Sequence, residues 1–299
     1  MQTKELLETH AQLFEPTTTE QALLKLHEQH VQFEVVPVVG ISEGRQSRVS
    51  VLEYKVGDRM CQVLWKRMGA GKGLAESETK DMHARLSSYS HKLSLAGWNI
   101  PTQFYTKVVA VDGEHQIFSY EQFVGNGDAR FMVANPDEPN FRKWNLMRQS
   151  METVAQSQLH AIQHFEISGK KFGRLSYGID LKLDNLVLDE SGKLWFVDLF
   201  GIKELNDNGE WEIYSEKLDL LSPERLLAVC ATREGVLLRF IRLMEYWWNK
   251  AGMSVKDAQD GACDCIDSLS LSLQEKSFVI DEIKNNYPWL DSLYAEKKV

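Results

Sequence analysis

Hydrophobic and polar positions change their period several times along the chain, and each change marks an element. Residues 21–30, QALLKLHEQH, place Ala22, Leu23, Leu24 and Leu26 in a helix-favouring run. The run VQFEVVPVV that follows is β-branched and strand-like. RVSVLEYKV and RMCQVLWKRM, joined by Gly57-Asp58, predict an antiparallel hairpin. QFYTKVVAV and HQIFSYEQFV flank Val111-Asp112-Gly113 in the same way. Between the hairpins, Leu74, Met82, Leu86 and Tyr89 recur at helical spacing.

Beyond Gly125 the pattern turns helical. It predicts helices over 139–165, around 222–250 and on to the C-terminus. Two short apolar runs, LVL and LWFV, interrupt it around the turn Asp189-Glu190-Ser191-Gly192. The expected class is α+β, divided into an N-terminal helical extension (1–30), a sheet-rich unit with one helix (31–124) and a mostly helical unit (125–299).

Composition narrows this picture without redirecting it. Hydrophobic residues at 43% and charged residues at 26% suit a folded globular chain. A formal charge of -9 argues against a broad nucleic-acid or anionic-lipid footprint. Lys4, Glu5 and Glu8 interrupt the start, and no apolar run approaches a membrane span, so a cytoplasmic setting is expected. Cys61, Cys230, Cys263 and Cys265 lack the spacing of a zinc or redox pair, and reduced structural thiols are expected.

The chemistry concentrates in YGIDLKLDNLVLDESGKLWFVDLFG, residues 177–201. Asp180, Lys182, Asp184 and Asn185 precede a short hairpin, and Asp198 follows its second strand. Carboxylates beside buried strands need compensation from a metal, a cation or hydrogen bonds. Phosphoryl transfer uses such a set: a carboxylate on the acceptor hydroxyl, oxygen ligands for a metal, and a lysine on the nucleotide phosphates.

D-L-K-x-D-N, an apolar strand, a Gly turn and a second strand ending in Asp resemble the catalytic loop and metal-binding Asp of the protein-kinase-like superfamily. VLWK, ending at Lys66, resembles that superfamily's V-A-I-K strand. The resemblance implies a bilobal fold, with a small antiparallel sheet lobe carrying one key helix and a larger helical lobe. It implies an enzyme using ATP and magnesium, with Asp180 as catalytic base and Lys182 on the transferred phosphoryl group. It also implies Asn185 and Asp198 as magnesium ligands and Lys66 on the α/β-phosphates.

An ion-pair partner for Lys66 is expected on the helix that follows. Glu78 is the choice, because Met82 and Leu86 at i+4 and i+8 share its face, and Glu76 is the rival. GISEGRQSRV, with Gly40, Gly44 and Ser47, is a candidate phosphate-covering turn or an ordinary hairpin turn. IFSYEQFVG falls where the superfamily's lobe connection meets adenine, through backbone groups around Tyr120, Glu121 and Phe123. GAGKG at 69–73 imitates a Walker A loop, but Lys66 stands at its first glycine and Gly73 at its Ser/Thr.

Leu159-His160 resembles the L-H of aminoglycoside and choline phosphotransferases, which points to a small-molecule hydroxyl as acceptor. A cationic acceptor would suit the acidic charge. His160 and His164 at i, i+4 have the spacing of a helical metal pair, with packing or a solvent-facing His as the alternative. Departures from the superfamily's pattern are Gly178 two residues before Asp180, Ile179 next to it, and Gly201 one place late. LLSPERLL is read as a helix start, with Ser222 as cap and Pro223 at the first position, or as the superfamily's A-P-E. Trp247 and Trp248 are adjacent, so one packs in the core and the other faces an interface or pocket. A protein kinase and a nucleotide-binding regulator without transfer remain the alternative functions.

Overall fold

The computed structural model describes residues 33–36, 47–56, 59–69, 73–111, 113–125, 129–167, 169–215 and 221–295. The expected helix at 21–30 and the turn at Gly40 and Gly44 lie outside the described residues. The described residues form an α+β fold, with three antiparallel sheets and a set of helices among them.

The first sheet contains β1 (Phe33–Val36), β2 (Ser47–Val56), β3 (Arg59–Met68), β4 (Gln103–Val111) and β5 (Glu114–Gln122), in the order β1-β2-β3-β5-β4. Both hairpins read from the alternation are present, β2–β3 and β4–β5. Inserting β5 between β3 and β4 sets Lys66 opposite Ser119, with Glu121 two residues on along β5. Helix α1 (Glu76–Leu95) packs through Thr79, Met82, Leu86, Tyr89 and Leu93, the stripe expected of a half-buried helix.

The helical portion comprises α2 (Ala129–Ala134), α3 (Asn140–Gln156), α4 (Pro223–Ala231), α5 (Arg233–Lys250), α6 (Val255–Ser268), α7 (Leu273–Lys284) and α8 (Pro288–Ala295). Helix α5 is its axis: Val236, Leu237, Leu238, Phe240, Ile241, Met244 and Trp248 are each 0% exposed. A helix apolar around most of its circumference has to be enclosed by others. Trp248 packs on Trp144 with ring centroids 4.5 Å apart, while Trp247 is only half-buried, which divides the tryptophan pair between core and surface.

The helix expected over 139–165 ends early. Helix α3 stops at Gln156, Ser157 turns extended (φ -61, ψ 136), and β6 (Leu159–Ile167) pairs with β7 (Lys170–Leu175). Glu166 is exposed and Ile167 buried, a strand-like alternation closed by a turn with Gly169 at φ 76. His160 and His164 therefore sit on a strand, and the helical metal-pair reading does not apply to them.

Helices α4 and α5 are separated at Thr232, whose hydroxyl donates to the Ala228 carbonyl (2.7 Å) and accepts from the Gly235 N–H (3.0 Å). Ser222 caps α4 by accepting from the Arg225 N–H, with Pro223 at the first position. No described helix is long and apolar enough to cross a membrane.

Glu234, in the first turn of α5, supplies a pH signature. Burial, helped by the Glu275 charge and opposed by its own backbone N–H and Arg233, pushes its carboxyl up to about 7. A raised carboxyl favours the protonated folded state, so stability falls as pH rises through the window from the ordinary value of 4.5 to about 7. The loss reaches up to about 3 kcal/mol and is complete above that window. Urea denaturation of Glu234→Gln across pH 4–8 is expected to lack this component.

Candidate active site

The loop carrying Asp180 is fixed by backbone hydrogen bonds from three directions. The Gly178 N–H donates to the Lys203 carbonyl (2.8 Å) and the Ile179 N–H to the Cys230 carbonyl (2.8 Å). The Gly178 carbonyl accepts from the Tyr89 hydroxyl of α1 (2.8 Å). Ile179 is 0% exposed, so an apolar side chain suits its site. A Cβ at Gly178 would lie 2.5 Å from the Lys203 carbonyl oxygen, which leaves room for glycine alone. Gly178→Ala is expected to cost about 1–3 kcal/mol through overpacking, read as a lower denaturation midpoint.

After Asp180 the chain makes one 3-10 turn, Leu183–Asn185, in which the Asn185 N–H donates to the Lys182 carbonyl (3.0 Å). Asn185 is 3% exposed, and its Nδ2 donates to the Asp180 carbonyl (2.8 Å). The strands β8 (Leu186–Leu188) and β9 (Leu194–Phe196) then form the expected hairpin. Asp189 fixes the turn, accepting from the N–H groups of Ser191 and Lys193 and from the Trp195 indole, each at 2.9 Å. These bonds and the Ser191 hydroxyl outweigh burial and hold its carboxyl at about 2. The hairpin returns the chain to its start: the Val197 N–H donates to the Asn185 carbonyl (2.8 Å), which brings Asp198 beside Asn185.

Lys66 reaches this point from the sheet. Its Nζ donates to the Val197 carbonyl and pairs with the Glu121 carboxylate at 2.7 Å, both side chains being buried. Glu121 also accepts from the Ser119 hydroxyl (2.9 Å) and from Gln103 (3.3 Å). The expected partner, Glu78, is occupied elsewhere: as the third residue of α1 it folds back onto the Ala75 N–H (3.0 Å) in a capping box. The buried stripe of α1 starts at Thr79, one residue past Glu78. Glu76 pairs with Lys80.

Glu121 thus acts through its carboxylate on Lys66, from mid-sheet between Leu64 and Gln103, where an adenine contact through its backbone was expected. Phe123 is half-buried, one residue beyond β5. Ser47 is the first residue of β2, opposite Met68, and belongs to the strand.

Asp180 is held by two cations, Arg239 Nη1 at 2.6 Å and Lys182 Nζ at 3.3 Å. Burial acts to raise its carboxyl, but Arg239, then Lys182 and Lys203, outweigh it and keep it well below the usual carboxylate range. Asp180 in turn raises the Lys182 ammonium. Burial pushes Asp198 up against the pull of Lys66 and Lys182. One Asp198 oxygen accepts from the Phe200 N–H (3.1 Å).

A cavity of about 610 Å³ opens beside Lys182 and Arg239, with Arg130, Arg242, Asp184 and Trp247 also in its wall. Asp184 pairs with Arg130 (3.6 Å), and Asp291 pairs with Arg242. The acidic cleft expected from overall charge is not what lines it: Arg130, Lys182, Arg239 and Arg242 face two acids of its own wall.

Sequence reasoning passed over Arg239, and it read Glu121 for its backbone and not for the carboxylate that pairs with Lys66. Arg239, Arg242 and Tyr246 recur at i, i+3 and i+7 along a helix whose middle is mostly apolar, a polar stripe that could have marked Arg239.

Among the described residues, no three or more His, Cys, Asp or Glu side chains cluster as a metal site. The donors beside Asp180 are hard oxygens, however. With Nδ2 of Asn185 committed to Asp180, its Oδ1 is the remaining acceptor, and Asp198 is a carboxylate whose burial is only partly compensated. One carboxylate and one amide oxygen, completed by phosphate and water, fit magnesium. No family model matches this chain, and no curated protein matches it at a significant level.

Proposed function

We propose that this chain is an ATP- and magnesium-dependent phosphotransferase of bilobal, protein-kinase-like architecture that transfers the γ-phosphoryl group to a hydroxyl of a small molecule. On this reading residues 31–124 form the nucleotide lobe and residues 125–299 the lobe with the catalytic loop. Among the described residues, Cys263 and Cys265 form no disulfide, which suits a reducing, cytoplasmic setting. The observation that carries the reading is the meeting of Lys66 with the Asn185–Asp198 pair: the Lys66 amine donates to the carbonyl of Val197, the residue before Asp198, and the Val197 N–H donates to the Asn185 carbonyl.

In this arrangement Lys66 exchanges its contact with Glu121 for the nucleotide phosphates. Asn185 and Asp198 would hold magnesium, which when bound neutralises charge on those phosphates. Asp180, kept ionised by Arg239 and Lys182, accepts the hydrogen bond of the acceptor hydroxyl and aims its oxygen at phosphorus. The new bond joins that oxygen to phosphorus, and the bond to the ADP oxygen breaks. A carboxylate held so far down is a weak base. It therefore orients the hydroxyl first and takes its proton late, as the loose transition state of phosphoryl transfer permits. Lys182 lies where charge grows on the transferred group.

The Asp180–Arg239 pair favours one alternative, a nucleotide-binding regulator whose Asp180 is locked away from chemistry. ADP release over a panel of alcohols separates the two. Turnover that disappears in Asp198→Asn supports transfer, and tight magnesium-dependent ATP binding without turnover supports the regulator.

A further inference from the structure

We propose that the cavity beside Asp180 takes an acceptor that bears an acid group, a carboxylate or phosphate, a few bonds from its reactive hydroxyl. The proposal rests on the phosphotransferase reading and goes on to name the acceptor's class. The chain as a whole carries -9, yet here the balance reverses. Four cations, Arg130, Lys182, Arg239 and Arg242, meet three acids, Asp180, Asp184 and Asp291. Asp180 alone takes two of the cations.

Position adds to the charge. Arg239 lies against Asp180, where the hydroxyl would sit, and Arg242 follows one turn along α5. Three residues of helix advance about 4.5 Å, the span of a small hydroxy acid. The Arg242–Asp291 pair is exposed on both sides, 43% and 53%. Exposed pairs of this kind are weakly held, and a ligand acid group can replace the protein carboxylate with two parallel hydrogen bonds to a guanidinium. Trp247, Leu243 and Leu290 provide an apolar wall, and Tyr246 and Tyr294 stand 52% and 39% exposed at it. Exposed aromatics beside convergent charges are the make-up of a small-molecule site.

Three probes, each with one phenyl ring and one aliphatic hydroxyl, differ in charge: 3-phenyllactate (anionic), 2-phenylethanol (neutral) and phenylalaninol (cationic). Calorimetric titration without nucleotide is expected to rank 3-phenyllactate at least about tenfold above the other two, from charge-assisted hydrogen bonds. Arg242→Gln is expected to weaken 3-phenyllactate about tenfold, and Asp291→Asn, which removes the competing acid, to tighten it about threefold. Opposite signs from two residues of one ion pair are not what a merely structural role gives. Equal binding of the three probes, binding of none, preference for phenylalaninol, or indifference to Asp291→Asn overturns the proposal. ADP release with magnesium and ATP separates the two levels. Acid-selective binding without turnover of any acceptor sinks the phosphotransferase reading alone, whereas turnover confined to neutral or cationic alcohols sinks the acid-acceptor proposal alone.

Discussion

Asp180→Asn is expected to lower kcat for phosphoryl transfer by about 10²–10⁴-fold, the range for a positioned acid–base group, while magnesium-dependent ATP binding is largely kept. The amide fills the same space but loses the negative charge shared by Arg239 and Lys182. A stability loss of about 1–3 kcal/mol accompanies it, because two partly buried cations then lack their anion. The separation of kcat from nucleotide affinity is the diagnostic feature. Single-turnover kinetics at saturating ATP reads the first, and calorimetry reads the second. Unchanged kcat in the folded variant would remove Asp180 from the chemistry.

Lys66→Met is the other substitution with a large expected effect, and it acts on stability as well as on binding. Glu121, 3% exposed, would lose its only ion-pair partner among the described residues. Breaking a buried pair from one side costs about 3–5 kcal/mol, and the lower end applies because Ser119 and Gln103 still donate to Glu121. Removing both charges should behave differently. Lys66→Met/Glu121→Leu is expected to recover most of the lost stability, since an apolar pair suits a buried site as well as an ionic one. ATP affinity should stay lost in the double variant, because the amine is gone. Urea denaturation of both variants checks the first claim, and a double variant that still bound ATP normally would separate Lys66 from the nucleotide.

The sheet was legible because its information is local. Alternation in RVSVLEYKV and RMCQVLWKRM, with a two-residue turn between, carries both the strands and their pairing. The hairpin around Asp189 was equally readable, since its turn chemistry is written in consecutive residues. The segment VAQSQLHAIQHFEI misleads because Ala, Gln and Leu support a helix throughout. Its departure into β6 at Leu159 depends on pairing with β7 after the Gly169 turn.

The site divides along the same line. Asp180, Lys182, Asn185 and Asp198 lie within one short stretch, and their closeness follows from one hairpin. The partner of Lys66 does not, because it depends on the strand order β3-β5-β4, which sets Glu121 across the sheet from Lys66. Glu78 gave a plausible helical alternative, but an N-terminal cap is a local hydrogen bond that forms without tertiary help. Arg239 is 59 residues from Asp180 in sequence and reaches it only because the helices stack. Gly178 looked like a defect in the motif, and the close approach of Lys203 supplies its reason.

The most direct test of the central claim is calorimetric titration of the folded wild-type chain with ATP, in magnesium and again in EDTA. The predicted result is one site per chain, strengthened by magnesium and abolished in Lys66→Met/Glu121→Leu. A folded wild-type chain that binds no ATP in magnesium, or binds it equally well in EDTA and in the double variant, would contradict the assignment of Lys66, Asn185 and Asp198 to a nucleotide–metal site.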